Sequence, residues 1–133
     1  MPKNKIKVYT KDRGVLDIKV VPNQKVIEIH KVKEKGAGIL DIAANKRAMK
    51  NLTANAYTLY MHFVLNIPGY KEALSLSYIL ENTSLSERGY YNAIKELIDK
   101  QYIIKEYNKE YSNYYLFFED PSLNFKKTNS DSS

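Results

Sequence analysis

The sequence predicts an α+β fold in which strands come first, helices fill the middle and a β-hairpin closes the chain. Three observations carry that expectation. Apolar and polar residues alternate at period two between residues 5 and 33, as half-buried strands require. From Leu52 to Lys100 the apolar spacing becomes helical, and each helical run is opened by a Thr or Ser. From Tyr102 to Phe118 two β-branched and aromatic runs flank a polar tip.

The strands come in order. Lys5-Ile6-Lys7-Val8-Tyr9-Thr10 alternates, Asp12-Arg13-Gly14 turns, and Val15 to Val21 alternates again. Pro22-Asn23-Gln24 breaks the pattern, and Lys25 to Lys33 forms a third run. Together they predict a three-stranded antiparallel meander, with lysines such as Lys7, Lys19 and Lys31 on one face and Ile and Val on the other. So small a sheet cannot leave its apolar face bare; it must cover a helix or pair with a second copy. Glu34 to Gly38 reads as a connector, Ile39 to Ile42 as a short strand and Ala43 to Lys50 as a helix.

Thr53 is placed to cap a helix over Ala54 to Asn66, which Pro68-Gly69 stops. Lys71 to Leu74 reads as a short extended link. Ser75 caps a helix over Leu76 to Glu81, Asn82-Thr83-Ser84 turns, and Ser86 caps a helix over Glu87 to Lys100. The apolar stripe of this last helix is Tyr90, Ile94, Leu97 and Ile98, and Glu96 with Lys100 forms an i, i+4 pair. Tyr102 to Glu106 and Tyr114 to Phe118 are then the arms of a hairpin tipped by Tyr107 to Asn113, and Lys126 to Ser133 lacks apolar content.

Composition narrows the function classes. The 133 residues suffice for one domain with a real core, and 44% are hydrophobic, against wholesale disorder. There is no Cys, which excludes disulfides and thiolate metal sites. No apolar run approaches the ~20 residues that span a bilayer, and no secretory leader pattern opens the chain. The expectation is a cytoplasmic protein with no membrane partner. The net charge of +6 points to an anionic partner. That charge is uneven: residues 1–50 hold 13 Lys and Arg against 5 Asp and Glu, whereas residues 51–133 hold 8 against 10. Lys outnumbers Arg 18 to 3, a bias that AT-rich coding sequence favours.

Two helices joined by a tight turn form a helix-turn-helix, and a hairpin directly after the second makes it winged. The segment from Ala73 to Ile104, with its core Leu85-Ser86-Glu87-Arg88-Gly89-Tyr90-Tyr91-Asn92-Ala93-Ile94-Lys95-Glu96-Leu97-Ile98-Asp99-Lys100, resembles bacterial winged helix-turn-helix DNA-binding domains. Asn51 to Asn66 resembles the first helix of replication-initiator and primosome-loading winged helices of low-GC Gram-positive plasmids and phages. The likeness covers about half of the chain. Gln101 departs from it where a helix-ending Gly is frequent, and Gly89 where Thr or Ser is. Alternation and composition set a basic β-meander extension over 1–35 and a disordered tail over 121–133, and the resemblance implies a winged helix-turn-helix domain over 36–120 between them. It also implies a non-enzymatic, sequence-specific double-stranded DNA-binding protein, acting as a homodimer in replication, partition or conjugative transfer of a mobile genetic element. Other replication or transfer proteins would be its partners. A transcriptional repressor, or a protein-interaction adaptor, is the alternative.

A recognition helix reaches base edges with the side chains off its apolar stripe. The positions off that stripe are Ser86, Arg88, Gly89, Tyr91, Asn92 and Lys95. Arg88 suits guanine, Asn92 adenine, and Tyr91 and Lys95 suit phosphates. Ser75 and Ser77 open the preceding helix, where amides meet anions, and Lys105 and Lys109 belong to the wing. The same residues also fit an ordinary solvated helix. A basic ribbon carrying Lys7, Lys19, Lys31 and Lys33 is a second candidate contact; equally, strand lysines can simply blunt an edge. No cofactor or metal is expected. The two histidines, His30 and His62, lack ligand spacing, and no Gly-rich phosphate loop occurs.

Overall fold

In the computed structural model, residues 5–10, 14–19, 24–33 and 40–124 are described, the first two segments by backbone alone. β1 (Lys5–Thr10) and β2 (Gly14–Lys19) form an antiparallel hairpin, with Lys7 opposite Asp17 and Lys19 opposite Lys5. The expected third strand of a meander does not join them. β3 (Lys25–His30) instead enters a second sheet with β4 (Lys71–Ala73), β5 (Ile103–Glu106) and β6 (Asn113–Phe118), in the order β4-β3-β6-β5. It pairs antiparallel with β4 and parallel with β6. The reason is burial on both faces: Val26, Ile27 and Ile29 are all 0% exposed. A strand buried on two faces belongs in the interior of a sheet. Lys71 to Ala73, read as a link, is the edge strand that closes it.

Register divides the sheet into two faces. Ile27, Ile29, Glu72, Ile103 and Phe117 share one face, which the helices cover; Phe117 lies 4.9 Å from Phe63 and 5.6 Å from Tyr60 between ring centroids. Val26, Glu28, Lys71, Tyr114, Leu116 and Phe118 share the other. Val26, Tyr114, Leu116 and Phe118 there are buried as well. β1 comes alongside β4 at the sheet's edge.

The helices are α1 (Ile42–Asn51), α2 (Ala54–Val64), α3 (Leu76–Asn82) and α4 (Glu87–Asp99). α1 starts where a strand was expected. The Asp41 carboxylate accepts the Ala44 amide at 2.9 Å, and that cap turns Ile42 into helix. Thr53 stands at the N-cap of α2 but makes no side-chain cap bond there. Glu96 of α4 supplies it instead, accepting the Thr53 amide at 2.8 Å and the Thr53 hydroxyl at 2.6 Å. Lys100 completes the clamp at 3.1 Å from the same carboxylate.

Thr83 to Ser86 make the turn between α3 and α4. The Thr83 hydroxyl donates to the Ile79 carbonyl at 2.8 Å, ending α3, and accepts the Leu85 amide at 3.2 Å. Buried Leu85 pins the turn to the core, and the Ser86 hydroxyl caps α4 by accepting the Gly89 amide at 3.0 Å. Gly89 lets α4 approach α2 closely: a Cβ there would stand 3.2 Å from the Asn55 side-chain nitrogen, which would have to give by a few tenths of an ångström. At its other end α4 closes with Gln101 in the left-handed region, φ +67°. The Gln101 amide donates to Ile98 O at 3.0 Å and the Tyr102 amide to Leu97 O at 2.8 Å, the paired bonds of a Schellman cap. After β6 the chain stays packed through Asn124, with Leu123 partly buried against the core. The rest of the expected tail lies outside the described residues.

Two outcomes are expected. Deleting residues 1–23 leaves the four-stranded sheet and a cooperative thermal melt, whereas deleting residues 1–33 removes β3 and abolishes that melt. Gln101→Gly relieves a left-handed non-glycine residue and raises stability by about 1 kcal/mol in denaturant titration.

Candidate nucleic-acid interface

α4 is divided cleanly by burial. Gly89, Tyr90, Ala93 and Leu97 face the core. Arg88, Tyr91, Asn92 and Lys95 are exposed, so all four sequence-predicted contacts of this helix share its outer side. Tyr91 keeps 55% of its surface in solvent, edge-on to buried Tyr90 at 5.2 Å. Ile98, predicted as core, is 43% exposed and lies on the outer side too. Glu87 and Asp99 stand at its two ends and are also exposed. Four unlike charges therefore balance along this face.

Ser86 is exposed, but its hydroxyl is committed to the cap of α4. Ser77 is exposed and Ser75 half-buried; their hydroxyls lie 3.1 Å apart, and Ser75 accepts the Tyr78 amide at 3.5 Å, too long to hold α3 firmly. Beneath α3, His62 Nε2 lies 2.9 Å from Glu72 Oε2, with the Glu72 side chain almost wholly buried.

The expected wing is the loop from Tyr107 to Ser112 between β5 and β6. The Asn108 side chain shapes it, accepting the Glu110 amide at 2.7 Å and the Tyr111 amide at 3.1 Å. Lys105 and Lys109 are exposed. Lys105 Nζ lies 5.9 Å from the Tyr115 ring centroid, so its stem follows β6. The residues 107–111 and Lys71 enclose a cleft of about 450 Å³. Tyr107, Tyr111 and Lys71 were not singled out by sequence reasoning. The available signal was the alternation of Tyr with Lys and Asn at the hairpin tip.

Next to the cleft, the Tyr114 hydroxyl donates to Glu28, and Lys71 Nζ lies 4.0 Å from the same carboxylate. His30 Nε2 approaches its other oxygen at 2.8 Å, at an angle too poor for a directed bond. Burial raises the Glu28 carboxyl, but the contacts with His30 and Tyr114 and the Lys71 charge outweigh it and hold the group at about 2.

The basic ribbon is corrected at Lys31. This side chain is 4% exposed and donates to the carbonyls of Val64 at 2.6 Å and Asn66 at 3.2 Å. Burial pulls its ammonium down, and Glu119 partly offsets that. It is a buried cation at the C-terminal end of α2, where the carbonyls lack intrahelical donors, and cannot reach a phosphate. Lys33 is exposed. Lys7 and Lys19 sit on the β1–β2 hairpin, but their side chains lie outside the described part of the structure.

A second cleft, of about 320 Å³, is lined by Arg47, Asn51, Tyr102 and Asp120 among others. Arg47 is neutralised there by Asp120. Among the described residues no group of three or more His, Cys, Asp or Glu could hold a metal ion, and no helix is long and apolar enough to cross a membrane. Compared with protein-family models, curated proteins and solved structures, the chain matches none.

Lys31→Met is expected to destabilise the fold by about 2–3 kcal/mol, because two buried carbonyls lose a charged donor. Chemical denaturation checks this. The salt dependence of DNA binding should be the same in the variant, unlike that of a lost phosphate contact.

Proposed function

We propose that this protein is a winged helix-turn-helix module that binds double-stranded DNA in a sequence-selective way, without catalysis of its own. One observation carries the proposal: Arg88, Tyr91, Asn92 and Lys95 form an exposed row on a helix whose opposite side is locked into the core. That helix is 13 residues long, is capped by Ser86 and opens on exposed Glu87 and Arg88. Such a rod fits the major groove with its N-terminal half toward the bases. Arg88 donates to guanine, Asn92 pairs with adenine, and Tyr91 and Lys95 hold phosphates. Lys105 and Lys109 on the wing reach the flanking backbone. A two-copy complex on repeated half-sites suits such a module. Replication, partition or conjugative transfer of a mobile genetic element is the setting we favour, with transcriptional repression as the alternative.

A second reading has its own support. The outer side of α4 carries no net charge and includes Tyr91 and Ile98, both substantially exposed. Aromatic and aliphatic surface with balanced charge also suits a protein partner, so an adaptor docking through this helix is the competing function.

Selection of bound fragments from random duplex DNA decides between them. The DNA function predicts a defined motif, and affinity that falls steeply with salt. Arg88→Ala should then weaken binding by about 1–3 kcal/mol and relax preference at one position of the motif. Loss of general affinity without change of preference would remove Arg88 from base reading. No enrichment at low salt would favour the adaptor.

A further inference from the structure

Of the residues around the wing cleft, the proposed duplex recognition uses Lys109 alone. The walls of the cleft are Lys71, Tyr107, Asn108, Lys109, Glu110 and Tyr111. Tyr107 is 84% exposed, the most open of the large apolar side chains described. Tyr111 is held flat: its ring stacks on Tyr114 at 5.6 Å with an interplanar angle of 11°, and the Asn108 side chain fixes its backbone. Lys71 Nζ is steadied 6.0 Å from the Tyr114 ring centroid. The cleft thus joins two aromatic rings, one of them rigid, to two ammonium groups. Glu110 is the single carboxylate in its lining and Glu28 stands 4.0 Å behind Lys71, so the charges nearly balance and the aromatic rings dominate the site.

We propose that this cleft binds an unpaired nucleotide of a single-stranded stretch of nucleic acid. The base stacks on the Tyr107 and Tyr111 rings, and the neighbouring phosphates lie at Lys71 and Lys109. A duplex offers only base edges in its grooves, whereas ring faces become available when bases are unpaired. Stacking on tyrosine beside basic groups is how single strands are held without regard to sequence. Position agrees with chemistry. Lys71 and Tyr114 belong to the sheet face opposite the one the helices cover, so the cleft opens away from the layer that carries α4. A duplex seated on α4 does not fill it; a strand leaving that duplex can pass over the wing to reach it. This inference deepens the proposed DNA-binding function but does not depend on which motif α4 reads.

Fluorescence anisotropy at fixed low salt separates the two. The probes are a blunt duplex, the same duplex with a thymidine tail, and a thymidine oligonucleotide alone. The tail is expected to raise affinity about tenfold over the blunt duplex. Tyr107→Ala should remove that gain and the binding of the oligonucleotide, with blunt-duplex affinity unchanged; Tyr107→Phe should restore both. Lys109→Ala should lower tail and oligonucleotide binding as well. Equal affinity for blunt and tailed duplex, or a tail effect indifferent to Tyr107→Ala, overturns the inference. If the duplex fails to bind but the oligonucleotide binds in a Tyr107-dependent way, the duplex function falls and the wing site stands.

Discussion

The pairing of Lys25–His30 with Asn113–Phe118 ties a strand near the start of the chain to one near its end. Closing so long a loop has an entropic cost that rises slowly with length and slows folding more than it weakens the product. The C-terminal ends of both paired strands are fastened by buried charge. Just after β3, Lys31 donates to the carbonyls that end α2. Just after β6, the Glu119 carboxylate accepts the Val32 amide at 2.9 Å and the Asp41 amide at 3.0 Å. The Glu119 carbonyl also accepts the Tyr60 hydroxyl at 2.8 Å. Buried ions are costly unless hydrogen-bonded. Here their partners are backbone groups of other elements, so the same bonds that offset desolvation also set where α1 and α2 lie on the sheet.

The candidate interface inherits its geometry from that frame. α2 lies on the sheet through Tyr60 and Phe63, and α4 is clamped to α2 at two points: Glu96 on the Thr53 amide and Gly89 beneath Asn55. The clamps lie toward opposite ends of α4 and leave it little freedom to rotate about its axis. Its exposed row is therefore presented at a set angle. β5 follows α4 through the turn at Gln101 and Tyr102, and its pairing with β6 sets the root of the wing. α4 and the β5–β6 hairpin are thus joined to the same sheet.

Much of this was readable from residue order. Ser86, the spacing of Tyr90 and Leu97, and the Glu96–Lys100 pair place α4 to within a residue of its observed end, since capping and periodicity are local properties. The β5–β6 hairpin was readable for the same reason. The partners of β3 were not, because period-two alternation shows that a strand exists and not which strands flank it. Lys31 was misplaced by the same logic: alternation put it with Lys7 and Lys19 on a solvated face, but at the end of β3 it meets the open carbonyls of α2. Asp41 was read as strand because it stands between Leu40 and Ile42, although its carboxylate caps α1. Tyr107 and Tyr111 passed as generic loop residues, since only the folded turn around Asn108 brings them together with Lys71.

Charge placement sharpens what the proposed interface asks of each part. The N-terminal excess is smaller at the surface than in the sequence, because Lys31 is buried and Arg47 is engaged by Asp120. Along α4, Arg88 and Lys95 are balanced by Glu87 and Asp99. Phosphate attraction supplies most of nonspecific affinity, and this helix has little to supply. The other exposed lysines described, Lys25, Lys33, Lys46, Lys50, Lys105 and Lys109, belong to other elements and loops. A binding mode that depends on them is dispersed over several elements and weak at any one. Selectivity on α4 would then rest on a few directed hydrogen bonds from Arg88 and Asn92 over a small electrostatic background. A small background raises the ratio of specific to nonspecific affinity, which is the ratio that decides occupancy when many competing sites are present.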